Sequence, residues 1–215
     1  MKFLVATNNA HKVGEIVKIW DDANDEFFAL SDLGIASDPE ETGTTFLDNA
    51  RIKATAALDA FKEANKSGKA QVNPYDYIVI ADDSGLCVDA LDGAPGLYSA
   101  RFASADGSNS NYADNNSKLL ALMKNENDRS THFECHIVAL VPQNGKHVEV
   151  KAAGQCFGKI AHTQTGQHGF GYDPLFLPDE YEGTRSFAEL SEDEKNKISH
   201  RANALKNLKA KLVMC

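Results

Sequence analysis

The chain has 215 residues, of which 42% are hydrophobic, and this is enough to form a core without metals or disulfides as staples. The formal net charge is −9, which argues against a protein that binds duplex nucleic acid, because such binding needs a basic face. A nucleotide is not excluded, since one triphosphate needs only a few lysines, backbone N–H groups and a divalent ion. No uncharged apolar stretch approaches about 18 residues and the four cysteines form no CxxC pair. We therefore expect a cytoplasmic protein rather than a membrane protein or a secreted disulfide framework.

The first predicted elements are a strand, a helix and a second strand, which indicate the βα unit of an α/β fold. Residues 3–6 form an apolar run typical of a strand covered on both faces. From His11 to Trp20 apolar residues recur at helical spacing, and Asn9 is a good N-cap for that helix. Residues 27–30 are predicted to form the second strand.

A long helix, a hairpin and a last helix are predicted further along the chain. The long helix begins after Thr45 and ends at residues 67–68. Residues 133–141 form a strand that the turn at 142–145 joins to a return strand, so the sheet is predicted to be mixed. The last helix begins at Ser191.

The strongest candidate site is the acidic pair Asp82 and Asp83, which follows an apolar strand predicted at residues 77–81. We expect the pair at the carboxyl end of that strand, where open α/β sheets place their ligands. Adjacent carboxylates repel one another, and a divalent cation or a lysine is the usual offset. The alternative is a solvated turn with an Asx cap at residues 83–85.

Further charged groups accompany this pair. The acidic residues 40–41 precede the long helix, where they either supply further Mg²⁺ ligands or only complement the helix N-terminus. The turn of residues 7–12 offers backbone N–H groups and Lys12 to phosphate oxygens. It lacks the glycines of a P-loop, so an ordinary polar turn is the alternative. Asn49 and Lys53 lie one turn apart and share a side of the long helix.

Residues 166–174 form a glycine-rich turn with two aromatic residues and one acid. Glycines let the backbone approach a ligand, an aromatic ring offers a stacking face to a planar base, and a carboxylate accepts base N–H bonds. The alternative is a tight turn with buried aromatic side chains. In the last helix, the spacing of Lys195, His200 and Arg201 does not let them point the same way. Either that helix bends near Ser199 or these side chains serve different parts of a site.

Residues 132–136 contain the His-x-Glu sequence of zinc deaminases, and strand alternation places His132, Glu134 and His136 on one side. The Pro-Cys-x-x-Cys sequence that those enzymes need does not follow. The segment is therefore interpreted as polar residues on the outer face of a strand rather than as a metal site.

Seven segments in this order resemble the Ham1-type inosine triphosphate pyrophosphatase family, from residue 3 to about residue 205. Each is unspecific by itself. The resemblance implies an elongated, two-lobed α/β mixed-sheet fold with a central cleft, formed by residues 1–215 as a single domain. The matching segments are 7–12, 40–43 with Phe46, Asn49, Ala50 and Lys53, 81–91, 93–96, 98–101, 169–174, and Lys195 with 199–201.

The resemblance implies Mg²⁺-dependent hydrolysis of the non-canonical purine nucleoside triphosphates ITP, dITP and XTP to the monophosphate and pyrophosphate. By this analogy Asp83 is the catalytic proton acceptor, and Asp83 and Glu41 are the metal ligands. A homodimer with no nucleic-acid or membrane partner is also implied. The substrate-binding residues implied are Thr7, Asn8, Asn9, Ala10, His11, Lys12, Lys53, Ser84, Phe170, Gly171, Tyr172, Asp173, Lys195, His200 and Arg201.

In this analogy Lys12 and Lys53 steady phosphate oxygens, Phe170 stacks on the purine, and the polar residues of the last segments hydrogen-bond the base. Donors aimed at a 6-keto oxygen would meet the 6-amino group of adenine unpaired, which discriminates against adenine. Two other functions stay open. One is a catalytically silent nucleotide-binding or sensing protein, and the other is a pyrophosphatase for pyrimidine or modified triphosphates. The loop at 66–76 is longer than is usual in the family.

Overall fold

The computed structural model describes residues 1–213, and over these residues the fold is a mixed six-stranded sheet with helices. The strand order is β2-β1-β3-β4-β5-β6, with β1 parallel to β2 and β3, and β5 antiparallel to β6. The predicted α/β class and mixed sheet are therefore confirmed. The strands are Lys2–Val5 (β1), Glu26–Ala29 (β2), Ile78–Val88 (β3), Ser130–Gln143 (β4), Lys146–Ile160 (β5) and Phe176–Pro178 (β6). The α-helices are Ala10–Trp20 (α1), Phe46–Lys66 (α2), Tyr112–Leu122 (α3), Glu192–Ile198 (α4) and His200–Leu212 (α5).

The first βα unit and the long helix form as predicted. The side-chain oxygen of Asn9 accepts bonds from the first backbone N–H groups of α1, and Thr45 caps α2 through the N–H of Asp48. Each cap satisfies N–H groups that the first turn of a helix leaves without an intrahelical partner. At the other end of α2 the Asn65 amide donates to the carbonyl of Val72, which anchors the following loop.

The acidic pair does not follow a strand, as the sequence predicted, but lies within one. β3 runs without interruption through Asp82 and Asp83 to Val88, so the alternative of a solvated turn at residues 83–85 is wrong. Residues 78–81 before the pair are apolar, and after Ser84 and Gly85 the strand continues through Leu86 to Val88. Lysines contact both carboxylates, which removes the repulsion that would favour a solvated turn.

The hairpin is confirmed, and its strands are longer than predicted. Asn144 and Gly145 both have positive φ, at 50° and 75°, as the tight two-residue turn between β4 and β5 requires.

The last predicted helix is two helices. At Ser199 the backbone is extended, with ψ at 154°, so α4 ends and α5 begins at this residue. The Ser199 N–H donates to the carbonyl of Lys195, and its hydroxyl accepts from the N–H of Ala202. Of the two possibilities left by the sequence, the bend near Ser199 is confirmed.

Two elements were not predicted, namely α3 and β6. The first turns of α3 are polar, and two asparagines that a sequence pattern assigns to a surface are buried there: Asn115 donates to backbone carbonyls, and Asn116 to the carbonyl of Gly171. β6 has only three residues, too few to show a periodicity.

The chain divides into two compact units, each with its own apolar core. The first unit contains Met1–Asp83, Cys135–Gly154 and the residues from Ala204. In it, alternate strand residues face α2 on one side of the sheet, and α1 and the end of α5 on the other. The second unit contains Ser84–Glu134 and Gln155–Asn203. No helix within residues 1–213 combines the length and apolarity needed to cross a membrane.

Candidate active site

In the first unit, one half-buried lysine, Lys53, contacts two of the predicted acids. The Lys53 Nζ atom lies 2.8 Å from Asp83 Oδ1 and 3.1 Å from Glu41 Oε1. Glu41 is half-buried, whereas the neighbouring Glu40 is exposed. The structure therefore places Glu41 and Asp83 on one ammonium group, although they lie on separate segments of the chain.

Burial and charge set the titration of this group. Burial raises the pKa of Asp83 above the ordinary aspartate value, against the opposing charges of Lys53 and Lys12. Burial lowers the pKa of Lys53, but the charges of Asp83, Asp82 and Glu41 outweigh it, so this pKa is raised overall. Lys53 therefore stays cationic at neutral pH.

Asn49 holds the second oxygen of the central carboxylate. Its amide nitrogen donates to Asp83 Oδ2 at 3.2 Å, and its own carbonyl oxygen accepts from the Gly43 N–H at 2.9 Å. Asn49 is almost fully buried, so the side chain is fixed in this orientation. The carboxylate of Asp83 is thus held at both oxygens, by Asn49 and by Lys53.

The second acid of the pair contacts the first helix. Lys12 Nζ lies 3.1 Å from Asp82 Oδ2, and the Asp82 side chain is buried. In the preceding turn, Asn9 already accepts from the backbone N–H groups of His11 and Lys12, so these two groups are engaged. These two N–H groups are therefore not available to a phosphate, whereas the turn still offers the Lys12 ammonium group.

The rest of the 7–12 turn is tied to neighbouring chain. The Thr7 hydroxyl accepts from the N–H of Asn9, and the Asn8 amide donates to the carbonyl of Ser37 at 3.1 Å. Ala10 is the first residue of α1.

In the second unit, Asp173 of the glycine-rich turn forms an ion pair with Lys195 of α4. Lys195 Nζ lies 2.7 Å from Asp173 Oδ2, and both side chains are buried. The same carboxylate oxygen accepts from the Phe170 N–H at 2.9 Å, and Lys195 Nζ lies 4.8 Å from the Phe170 ring centroid. Gly169 has a φ of 76°, and a Cβ there would lie 2.1 Å from Asp173 Oδ2, so only glycine fits.

The other predicted residues of this unit are buried in separate contacts. Arg201 Nη2 donates to Ser84 Oγ at 3.1 Å, and the His200 ring stacks on Phe133 at 4.7 Å. The Tyr172 hydroxyl donates to the carbonyl of Ser99 at 2.9 Å, so this side chain supports the turn. Burial raises the pKa of Tyr172 and keeps the phenol neutral. The neighbouring Gly171, with a φ of 65°, shapes the turn through its backbone.

Comparison with known proteins decides the family. The sequence matches the Ham1 family over residues 3–211. This chain belongs to the Ham1 family. The family predicted from the sequence segments is therefore confirmed.

Relatives of known name are similar over nearly their whole length. The dITP/XTP pyrophosphatase of Clostridium perfringens is 46% identical, covering 98% of this chain and 97% of that protein. The protein of the same name from Haemophilus influenzae is 45% identical, covering 98% of both chains. A solved Ham1 protein from Coxiella burnetii superposes with a TM-score of 0.79 at 33% identity, covering 100% of each chain. The Ham1 protein of Staphylococcus aureus gives a TM-score of 0.78 at 36% identity, covering 100% of this chain and 99% of that one.

One residue of this Ham1 protein was not assigned a site role from its sequence. Asn49 was placed on the same side of α2 as Lys53, but its partner on β3 could not be identified, because pairing between distant segments leaves no local pattern. The signal that could have found it is an asparagine at a helix position otherwise lined by core alanines, since a buried amide needs specific partners.

Gly43→Ala is expected to disturb Asp83 indirectly. A Cβ at residue 43 would lie 2.6 Å from Asn49 Oδ1 and 2.9 Å from its backbone N, so Asn49 must shift. We expect a loss of about 1–3 kcal/mol in the free energy of unfolding, as for other overpacked sites, together with reduced turnover. Urea denaturation and a steady-state assay measure the two effects.

The matched control is Gly14→Ala in α1, where a Cβ would meet no atom within 4 Å. That change is expected to stabilise the protein by about 0.5–1 kcal/mol, because alanine favours a helix over glycine. Equal stability and turnover of Gly43→Ala and the wild type would contradict the role given to this contact.

Proposed function

We propose that this Ham1 protein hydrolyses ITP, dITP and XTP to the nucleoside monophosphate and pyrophosphate, which removes non-canonical purines from the nucleotide pool. The observation that carries the proposal is the buried Asp83 carboxylate, fixed by Asn49 and Lys53, with Glu41 on the same ammonium group. The name dITP/XTP pyrophosphatase, borne by relatives more than two-fifths identical, supports the same reaction.

Glu41 and Asp83 are the proposed ligands of Mg²⁺. Carboxylate oxygens are the protein ligands that this ion takes, usually one or two at a site, with water and phosphate completing its coordination. The cluster requires positive charge, because Asp82, Asp83 and Glu41 carry more negative charge than Lys12 and Lys53 neutralise. The residues therefore fit a divalent ion, which when bound would neutralise phosphate charge and polarise a phosphoryl oxygen.

Asp83 is the proposed general base. Its carboxylate accepts a proton from a water molecule as the water oxygen bonds to phosphorus and the anhydride bond between the α- and β-phosphates breaks. Asn49 keeps the carboxylate oriented during this step. Lys12 and Lys53 would exchange their carboxylate contacts for phosphate oxygens and stabilise the charge that develops on them.

The glycine-rich turn and α4 carry the residues proposed to recognise the base. The Phe170 ring is half-buried, which leaves it able to stack on a purine, and Lys195 and Asp173 lie beside it as donor and acceptor. His200 and Arg201, on the following helix, are the other proposed polar contacts to the base. A 6-keto oxygen accepts from such donors, whereas the 6-amino group of adenine leaves them unpaired, at a cost of about 1–3 kcal/mol.

The same proposal includes a homodimer, a cytoplasmic location and a single catalytic domain over residues 1–215. The first is measured by sedimentation equilibrium, in which a monomer at all concentrations would contradict it.

A substrate panel tests the reaction, with orthophosphate and pyrophosphate detected separately, in Mg²⁺ and in chelator. We expect pyrophosphate from ITP, dITP and XTP, a kcat/KM for ATP lower by about 10- to 100-fold, and no product in chelator. Orthophosphate as the only product would overturn the reaction class. Binding without turnover would indicate a silent binding protein, and turnover of pyrimidine triphosphates alone would indicate a different pyrophosphatase.

A further inference from the structure

Three side chains of different chemistry meet in the second unit, and none of them belongs to the candidate active site. They are Cys87 on β3, and His132 and Glu134 on β4. A sulfur, a ring nitrogen and a carboxylate oxygen from these residues all lie within 4.8 Å of one another. The distance from His132 Nε2 to Glu134 Oε2 is 3.6 Å.

The sheet explains why these residues meet. His132 and Glu134 are two residues apart on one strand, so their side chains point to the same face. β3 is the neighbouring strand in the sheet, and it brings Cys87 beside them. The Thr131 hydroxyl donates to the backbone carbonyl of Cys87 at 2.6 Å and fixes the two strands at this point.

The donor set is that of a borderline-soft metal ion. Thiolate, imidazole and carboxylate are the three ligand types that Zn²⁺ takes, at about 2.0–2.3 Å in a tetrahedron, and ligand atoms so arranged lie roughly 3–4 Å apart. The three atoms here need only a small adjustment to reach that spacing. One thiolate and one carboxylate would also balance the charge of a divalent cation.

The surroundings allow an ion to enter. All three side chains are half-buried, with about a fifth of the His132 and Glu134 side chains exposed. The Phe157 ring lies 5.4 Å from the His132 ring and covers part of the imidazole. Burial, together with the charges of Glu134 and Asp89, raises the pKa of Cys87 to about 11, so without a cation the thiol is protonated. A metal ion reverses this by displacing the proton.

We propose that Cys87, His132 and Glu134 form a site for a zinc-like divalent ion, separate from the proposed Mg²⁺ ligands. The sequence did not predict a metal here, because the cysteine pair of zinc deaminases is missing from the segment after Glu134. The sulfur ligand instead comes from a neighbouring strand, which a motif search along the chain does not detect. Three protein ligands leave a fourth position for water. The ion would join β3 to β4.

Cobalt(II) is a suitable probe, because its bonds to thiolate give a charge-transfer band in the near ultraviolet. The protein is titrated with Co²⁺ in excess Mg²⁺, which occupies sites made only of carboxylates. We expect one equivalent to produce the band and one equivalent of Zn²⁺ to remove it. In Cys87→Ser the band is expected to vanish, and in His132→Gln and Glu134→Gln the affinity is expected to fall at least about tenfold.

The matched control is Cys135→Ala. The Cys135 thiol is buried and lies 4.0 Å from Asp82 Oδ2, beside the acidic pair and not in the proposed zinc-like site. We expect this variant to keep the cobalt band. No band in the wild type, a band that persists in Cys87→Ser, or one that is lost in Cys135→Ala would overturn the proposal. Since no outcome uses nucleotide hydrolysis, the result does not depend on the proposed function.

Discussion

Asp83→Asn is expected to lower kcat by at least about 100-fold while nucleotide affinity is largely kept. The amide cannot accept the proton from water, and general-base catalysis contributes about 10²- to 10⁴-fold. Lys12 and Lys53, which would bind the phosphates, are unchanged by the substitution. Pyrophosphate release under saturating ITP measures the first effect, and equilibrium titration with ITP measures the second.

This variant is also expected to fold at least as stably as the wild type at neutral pH. The pKa of Asp83 is raised in the folded protein, so ionisation of this carboxyl above its unfolded pKa costs folding stability, and a neutral amide avoids that cost. The matched control is Asp59→Asn, on the exposed side of the helix that carries Lys53. This change is expected to alter neither kcat nor the free energy of unfolding. Unchanged turnover in Asp83→Asn would mean that another group is the base.

Lys195→Met is expected to lower the free energy of unfolding by about 3–5 kcal/mol. The substitution removes the counter-charge 2.7 Å from the Asp173 carboxylate, and both side chains are buried, so the carboxylate charge is left poorly compensated. Urea denaturation measures the loss. Lys197→Met, an exposed position on the same helix, is the matched control and should change stability by less than about 0.5 kcal/mol.

The double variant Lys195→Met/Asp173→Asn separates charge from packing. Asparagine keeps an oxygen that can accept the Phe170 N–H, but it removes the charge that Lys195 balanced. We therefore expect the double variant to recover most of the lost stability, but not the ITP affinity that the loss of the proposed base contact Lys195 is expected to reduce. If the double variant is as unstable as the single one, the loss comes from packing of the lysine side chain and not from the buried charge.

Much of the fold could be predicted because local chemistry decides it. The caps at Asn9 and Thr45 and the turn at Asn144 and Gly145 depend only on residues a few positions apart, and all were predicted. The strand predicted to end at residue 81 continues through the acidic pair for the opposite reason. The lysines that neutralise its two carboxylates come from distant helices, and a local pattern does not contain them.

The candidate site shows the same division. The resemblance to a known family identified Glu41, Lys53 and Asp83. In the structure, both carboxylates contact the ammonium group of Lys53. The spacing in the last helix indicated a bend near Ser199 without deciding for it. Two features could not be predicted, namely the amide of Asn49 on Asp83 and the meeting of Cys87 with β4, because each depends on which segments become neighbours after folding.

Because the backbone is extended at Ser199, α4 and α5 are separate helices, and the direction of one does not fix the direction of the other. In a continuous helix, Lys195 and Arg201 would be separated by a fixed angle around the axis. Because Ser199 is extended, each side chain takes its direction from its own helix. Redesign of this region can therefore treat α4 and α5 as two separate helices that meet at Ser199. A substitution in α5 does not rotate the Lys195 ammonium group about a shared helix axis, provided that position 199 keeps a hydroxyl to cap α5.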